Sequence, residues 1–600
     1  MNIKRLFTII AFCAFFMSSI AQQKNVLFIL VDDLNTDQAA FGNTAVITPA
    51  IDALSQEGIR FDNAQCSWPV CGPSRASFMT GTYPETNGVR NLKTELRDPS
   101  PNIVTIPQYL KEIGYITEAV GKVYDPRCID EDYDYPTSWT TPYSISYDYP
   151  EEYGPFVKGQ YRVYVAPMDK GPLTEIGPDG VLDDGYIDGQ IALDAVNRIE
   201  SYKNSDKPFF LSVGFKKPHT PFIAPKKYWD LYDISDIEMS DYQKLPEGTG
   251  EIAFSTSGEV KAYDDIIVLT SDGTKDGEFT SSVTVNGETF DKVMPEDTQK
   301  NSIRGYYASI SYIDAQIKMI VDALESNGLK DNTLIILTSD HGFALGDNAI
   351  WGKHNILNNS SQVPFIIVDP SREAKVEDRA VQLIDIFPTI CHWLDIPYLE
   401  QMQGNSVFED ENASTVFPLN LAVTHFRSKG RNGYTFKRSN YRYTLWTNNS
   451  AMTDAFEDID IYEEELYKYT TDEPQAVERI NLINDANEAE VLAEIKVQVE
   501  KWWKAYNENH TNESEIPGLG VGDLDNNKFN IYPNPSSQYL VIEGGFPKST
   551  QVQIYSVNGK LMSEEKYEDL KDQLYISTET MSKGVYVIKI NGVSRKFIKE

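Results

Sequence analysis

Short, unbroken apolar runs alternate along the first two thirds of this chain with longer stretches that are apolar on one helical face. The clearest runs, at 25–31 and 333–339, each stop abruptly at polar groups: Asp32-Asp33 after the first and Asp340-His341-Gly342 after the second. Similar runs cover 208–214 and 363–368. A run this short without polar alternation reads as a strand buried on both faces, as in a parallel sheet. Amphipathic spacing over 48–57, 106–112, 185–200, 303–325 and 380–394 predicts the helices. Strand–helix alternation of this kind predicts a large doubly wound α/β core, with ligands beyond the carboxyl ends of the strands.

Elsewhere the alternation breaks. Residues 251–293 are rich in Thr, Ser, Gly and Asp with period-two pieces such as Ser282-Val283-Thr284-Val285, predicting a β-rich insertion near the site mouth or an irregular loop. Residues 416–505 carry strand-like 433–447 and then a helical period into Trp502-Trp503, the pattern of a small antiparallel sheet closed by a helix. A polar, Gly-, Asn- and Asp-rich linker at 506–528 leads to 529–600, which reads as strands and turns throughout. The main α/β domain is then 22–415, followed by the α+β subdomain 416–505 and a separate all-β tail. At the other end, Lys4 and Arg5 precede apolar 6–17 and Ser19-Ile20-Ala21, the order of a secretory signal peptide cleaved after residue 21. No later run is long enough to span a membrane.

Composition changes this picture in one respect. Against 54 Lys and Arg stand 89 Asp and Glu, a net charge of −35, which speaks against nucleic acid or an anionic membrane surface as partner. Cys13 leaves with the signal peptide. Cys66, Cys71, Cys128 and Cys391 are too few for a disulfide scaffold, and a Cys66 bridge to Cys391 or Cys128 stays open.

Within so acidic a chain, Cys71-Gly72-Pro73-Ser74-Arg75 stands apart. Pro73 suits the first helical turn, so a helix starting here puts Cys71 at its N-terminus. There the free N–H groups and the dipole favour an anion, and Arg75 adds a planar cation one turn in. Residue 71 is a candidate for holding a tetrahedral oxyanion, the other reading being a reduced, buried cysteine at a helix start. Asp32-Asp33 and Asp340-His341 lie where a doubly wound sheet brings two strand ends together. Converging carboxylates need a counter-charge, which a hard divalent cation supplies; singly, each pair reads better as a helix cap.

With Thr80-Gly81 following, these residues resemble the Cys-x-Pro-Ser-Arg motif of the type I, formylglycine-dependent sulfatases. The resemblance runs over 25–505 through Val31-Asp32-Asp33-Leu34, Gly121-Lys122-Val123, Lys217-Pro218-His219, Pro221-Phe222, Tyr307 to Asp314, Ser339 to Gly342, Leu345-Gly346, Trp351 and Lys353. It is nearest to an iduronate-2-sulfatase-like subgroup. It implies an alkaline-phosphatase-like α/β sandwich, a large mixed central sheet flanked by helices. It also implies that a formylglycine-generating enzyme converts Cys71 to 3-oxoalanine (formylglycine). One Ca²⁺ would be held by Asp32, Asp33, Asp340, His341 and an oxygen of modified Cys71. Arg75, Lys122, His219 and Lys353 would surround the hydrate and the sulfate. The chain departs from its relatives at Asp125, where they carry a His of the sulfate pocket; Asp125 is either a base for sulfate release or a lost function replaced nearby.

The tail resembles the C-terminal sorting domain of Bacteroidetes type IX secretion in Tyr532-Pro533-Asn534-Pro535, Val557-Asn558-Gly559-Lys560, Gly584-Val585-Tyr586 and Lys596-Phe597-Ile598-Lys599. An accessory carbohydrate-binding sandwich is the other reading. The expected function is thus a secreted or cell-surface sulfatase acting on a sulfated carbohydrate, such as an algal polysaccharide of the ulvan type. The alternatives are a phosphomonoester or phosphonate hydrolase and a non-catalytic carbohydrate-binding surface protein. Aromatic-rich 133–164 and the insertion are candidates for a glycan-facing rim.

Overall fold

The computed structural model describes residues 24–143, 171–266 and 279–510 and the strands of 529–599, apart from 178, 255–256, 410–414, 449–453 and 470–476. The predicted signal peptide, the predicted linker from 511 onward and the aromatic stretch from 144 lie outside the described residues.

In chain order the main domain contains β1 (Asn25–Val31), α1 (Pro49–Glu57), β2 (Ile59–Gln65), α2 (Cys71–Thr80), α3 (Ile106–Glu112), β3 (Ile116–Gly121), α4 (Ile187–Tyr202) and β4 (Phe209–Phe215). There follow α5 (Gly258–Lys261), the hairpin β5 (Ser281–Val285) and β6 (Glu288–Val293), α6 (Glu296–Ser326), β7 (Thr333–Ser339), β8 (Gln362–Val368), β9 (Lys375–Glu377), β10 (Val381–Gln382) and α7 (Ile386–Leu394). An eight-stranded sheet runs β9-β2-β8-β7-β1-β4-β3, with β10 also paired to β2. β1, β3, β4 and β7 are parallel, whereas β8 is antiparallel to both neighbours, so the sheet is mixed.

Pleating divides each strand between two cores. Leu27, Ile29 and Val31 face Ile191, Ala195 and Ile199 of α4 and Ile310, Ile313 and Ile317 of α6. Val26, Phe28 and Leu30 face Phe78 and Met79 of α2, Ile106 and Leu110 of α3, and Phe387 and Ile390 of α7. Burial on both faces accounts for the unbroken apolar runs.

Two predicted helices differ in extent. α6 begins at Glu296, seven residues before the apolar period becomes regular, because Pro295 and the acidic Glu296 and Asp297 favour a helix start. The stretch expected as one helix over 380–394 instead opens with β10 pairing to Ala64 and Gln65. There the Asp385 carboxylate accepts the Gln382 N–H (3.0 Å) in a capping box, and the helix starts at Ile386. Of the insertion, 255–256 and 267–278 lie outside the described residues. Its described residues give one hairpin, preceded by helical turns at Glu251–Ala253 and α5. The cysteines are all free thiols among the described residues, so neither bridge left open by the sequence is formed.

After the main domain, β11 (Ala422–Ser428), β12 (Arg431–Arg438), β13 (Tyr441–Thr447) and β14 (Ile461–Lys468) form an antiparallel meander, closed by α8 (Ala489–His510). α8 extends past the expected linker boundary because Tyr506 is buried against Trp502, their rings stacked at 5.5 Å. Trp502 donates from Nε1 to the Tyr83 hydroxyl (3.0 Å), tying this unit to the segment after α2. The tail holds two antiparallel sheets of three and four strands around Leu540, Ile542, Ile554 and Ile588.

Candidate active site

Four neighbouring strands deliver the polar cluster. In the parallel pair β1–β7, Val31 is level with Ser339, so Asp32-Asp33 and Asp340-His341 leave the sheet side by side. On the other flank Val31 is level with Phe215, which brings the loop carrying His219 alongside. Gly121 pairs with Gly214 and places Lys122 next in line. Gly121 has φ +78°, and a Cβ there would lie 2.2 Å from the Gly214 carbonyl, so only glycine lets Lys122 turn in so closely. Asp33, at φ 61°, turns the chain back, its N–H donating to Asp340 Oδ1 (3.2 Å) while the Tyr306 hydroxyl donates to its carbonyl (2.7 Å).

α2 enters this cluster end-on. Every residue of the helix is buried and no side chain caps its N-terminus. Cys71 Sγ lies 3.3 Å from His341 Nε2 and 3.7 Å from Lys353 Nζ. Arg75 donates from Nε to Asp340 Oδ2 (2.8 Å), from Nη2 to Asp32 Oδ1 (2.7 Å), and from Nη1 to the Lys122 and Val123 carbonyls. Its guanidinium is therefore a buried clamp between two strand ends. Lys122 Nζ reaches Asp32 Oδ2 (2.6 Å), and Lys353 Nζ reaches both oxygens of Asp33 (2.7 and 2.8 Å). His219 Nε2 is 3.9 Å from Asp33 Oδ2. All nine side chains singled out in the sequence thus converge.

The fields inside are steep. Burial pushes the Asp32 carboxyl up, but Lys122 and Arg75 more than offset this and hold it well below the usual carboxylate range. Asp33 goes the other way: burial, with Asp32, Glu259 and Asp340 nearby, outweighs Lys353 and raises it well above that range. Burial keeps the Cys71 thiol protonated and drives His219 down to about 3, with Lys353 assisting. Lys353 is held strongly charged by Asp33 in spite of burial.

The donor set suits a cation. Ligand atoms of Asp32, Asp33, Cys71 and His219 lie within 4.8 Å of one another, as do those of Cys71, Asp340 and His341. His341 Nδ1 faces the Gly342 carbonyl (3.0 Å), which can only accept, so its proton sits there and the Nε2 lone pair points at the cluster. Carboxylate oxygens match a hard divalent ion, and the misfit is the soft thiol of residue 71. An oxygen at that position would complete the set.

Two features escaped sequence reasoning. Glu259, on α5 of the insertion, lies 3.3 Å from Lys353 Nζ and 3.4 Å from His219 Nε2. A lone acid in a polar insertion gives no periodic signal, and only its distance in space to Lys353 marks it. Asp125 accepts from Arg127 Nε (2.9 Å), Nη2 (2.8 Å) and backbone N–H (3.0 Å). Although burial pushes its carboxyl up, that pairing holds it far below the ordinary range and makes it a weak base. Of the aromatic stretch proposed as a rim, 144–164 lies outside the described residues; within the described part, Tyr133 and Tyr143 stack on each other at 4.6 Å, and the Tyr143 hydroxyl donates to the Gly121 carbonyl (2.7 Å).

Comparison with known proteins bears on this geometry. Residues 24–396 match the family described as Sulfatase, and residues 530–600 match the Secretion system C-terminal sorting domain. The chain is 33% identical over 379 residues to iduronate 2-sulfatase of Mus musculus, covering 62% of this chain and 64% of that protein. It thus spans a little under two thirds of that relative's length. Among solved structures, BT4656 in complex with its substrate D-glucosamine-2-N,6-O-disulfate superposes with a TM-score of 0.61 at 22% identity, covering 82% of this chain and all of that one. A phosphonate monoester hydrolase from Silicibacter pomeroyi gives 0.59 at 20% identity over 82% and 96%. Those two share the alkaline-phosphatase-like fold with this chain. The family match covers most of the main domain, including every residue of the polar cluster: the chain belongs to the sulfatase family.

Proposed function

We propose that this chain is an exported sulfatase that hydrolyses sulfate esters of a sulfated carbohydrate, with residue 71 as nucleophile after conversion of Cys71 to formylglycine. The observation carrying this reading is Cys71 at the uncapped start of a buried helix, between the His341 imidazole and the Lys353 ammonium. Asp32, Asp33, Asp340 and His341, with an oxygen of modified residue 71, would hold one Ca²⁺, which when bound draws charge from a sulfate oxygen. The hydrated aldehyde supplies one hydroxyl to attack sulfur and a second whose deprotonation releases sulfate and restores the aldehyde.

The chain's own groups do the rest. Lys122 and Lys353 neutralise the non-bridging oxygens, and the free N–H groups of the first turn of α2 add partial positive charge. Arg75 holds Asp32 and Asp340 in place against their mutual repulsion. His219, at the outer side of the cluster and one fifth exposed, takes up a proton once the negative charge of bound sulfate offsets the burial that keeps it neutral, and hands it to the leaving sugar oxygen. The sorting domain supports delivery by type IX secretion to the cell surface or beyond.

The likeness to a phosphonate monoester hydrolase favours a second reading, hydrolysis of phosphorus esters in the same site. Matched sulfate and phosphate or phosphonate esters of one alcohol separate the two. Sulfate release at the higher kcat/KM is expected, together with a peptide around residue 71 whose mass shows aldehyde in place of thiol. A preference for the phosphorus ester, or an unmodified thiol in active protein, would overturn the reading.

A further inference from the structure

Glu259 places a fourth carboxylate against the two groups, His219 and Lys353, that would face the sulfate. Its position is fixed from both sides. The Ser257 hydroxyl accepts the Trp351 N–H (2.9 Å), and the Val260 side chain packs against Gly352, so α5 is stapled to the segment that carries Lys353. Lys353 and His219 hold the charge of Glu259 below the usual carboxylate range against the cost of burial, at about 2. Oε1 accounts for both of those contacts. Oε2 is buried and has no hydrogen-bond donor among the described residues. A buried carboxylate oxygen without a donor is costly and calls for an explanation, and beside the site a donor on the substrate supplies one.

An anion such as sulfate cannot satisfy Oε2, because the charges repel. A hydroxyl can. In a sugar sulfated on a ring hydroxyl, the O–H donor nearest the ester oxygen is the one on the adjacent ring carbon, while an aryl sulfate offers none there. Resting on the sulfatase reading above, we propose that Glu259 is a specificity-determining residue. It accepts a hydrogen bond from the hydroxyl next to the sulfated position and selects sugars in which that hydroxyl is free.

The test compares mature, formylglycine-bearing wild type with Glu259→Ala and Glu259→Gln. The substrates are a sugar monosulfate with a free neighbouring hydroxyl, the same sugar deoxygenated at that carbon, and an aryl sulfate. For the wild type, deoxygenation is expected to lower kcat/KM by roughly ten- to a hundredfold, the range for a hydrogen bond to a buried charged group. In Glu259→Ala that ratio should collapse towards one, with a smaller loss on the aryl sulfate, and Glu259→Gln, which keeps an acceptor, should retain part of it. A wild-type ratio near one overturns the proposal without any variant, so it stays testable even if Glu259→Ala does not fold. Equal losses on sugar and aryl sulfate in Glu259→Ala also overturn it, reducing Glu259 to a counter-charge for Lys353. No hydrolysis of any of the three by the wild type would instead remove the sulfatase reading beneath it.

Discussion

Arg75 shows how a single side chain can serve a site without touching the reacting atoms. Five N–H groups in a rigid fork span Asp32, Asp340 and two backbone carbonyls, a geometry that a lysine cannot reproduce. Replacing it leaves two buried carboxylates short of a partner, which costs about 3–5 kcal/mol where a buried pair is broken. Arg75→Lys should accordingly lower both the unfolding midpoint in urea and sulfate release; a variant of wild-type stability would show that the clamp is dispensable. Legibility at this scale was uneven. Asp32, Asp33, Asp340 and His341 were readable from strand ends, and Cys71 and Arg75 from a helix start, whereas Lys122, His219 and Lys353 were legible only through the resemblance to the family's motifs. The pairing of Asp125 with Arg127 was not, since nothing in the order Asp125-Pro126-Arg127 says which way a carboxylate turns.

At the scale of elements, some residues that marked the family prove to be structural. Asp314 sits on α6 yet accepts the N–H groups of Ala50 (3.0 Å) and Ile51 (2.8 Å), capping α1 from a neighbouring helix. Asp314→Ala should cost about 1–2 kcal/mol of unfolding free energy, the usual worth of a helix cap, with kcat on a soluble sulfate ester unchanged. A large fall in kcat would place Asp314 in the chemistry instead. The strands of the main sheet were legible because burial on both faces leaves only apolar residues. The insertion was not. α5 is four residues long, too short for a periodic signal, and it is held by contacts to Trp351 and Gly352 that lie some ninety residues away in sequence. β10 was lost for a related reason, since two residues pairing at a sheet edge cannot be told from the start of the helix that follows.

Across the whole molecule, acidity and burial together set the pH response. Burial lifts Asp314, Asp385 and Glu465, all away from the polar cluster, to about 7 each, overcoming the N–H donors that face them. Unfolded, these groups titrate near 4, so between about pH 4 and 7 the folded chain binds more protons and its stability falls as pH rises. The net charge of −35 adds self-repulsion in the same direction. Asp125 works in the opposite sense, but its contribution is lost only below about pH 4, where an unfolded aspartate takes up its proton. His219 and His354, held down by burial to about 3 and about 4, oppose this up to about pH 6.5, where unfolded histidines lose their protons. The Tm measured by calorimetry should therefore be higher at about pH 6.5 than at about pH 8; a rise in Tm over that interval would mean that other groups govern stability.

Chemistry at residue 71 is the point on which the functional reading turns, and sulfate release by wild-type and Cys71→Ala proteins, matured and assayed side by side on one sulfated sugar, tests it most directly. Cys71 forms no disulfide, and alanine there removes only its contacts to His341 (3.3 Å) and Lys353 (3.7 Å), so the variant should fold and yet release no sulfate above background. Release by Cys71→Ala at the wild-type rate would contradict the assignment of the nucleophile.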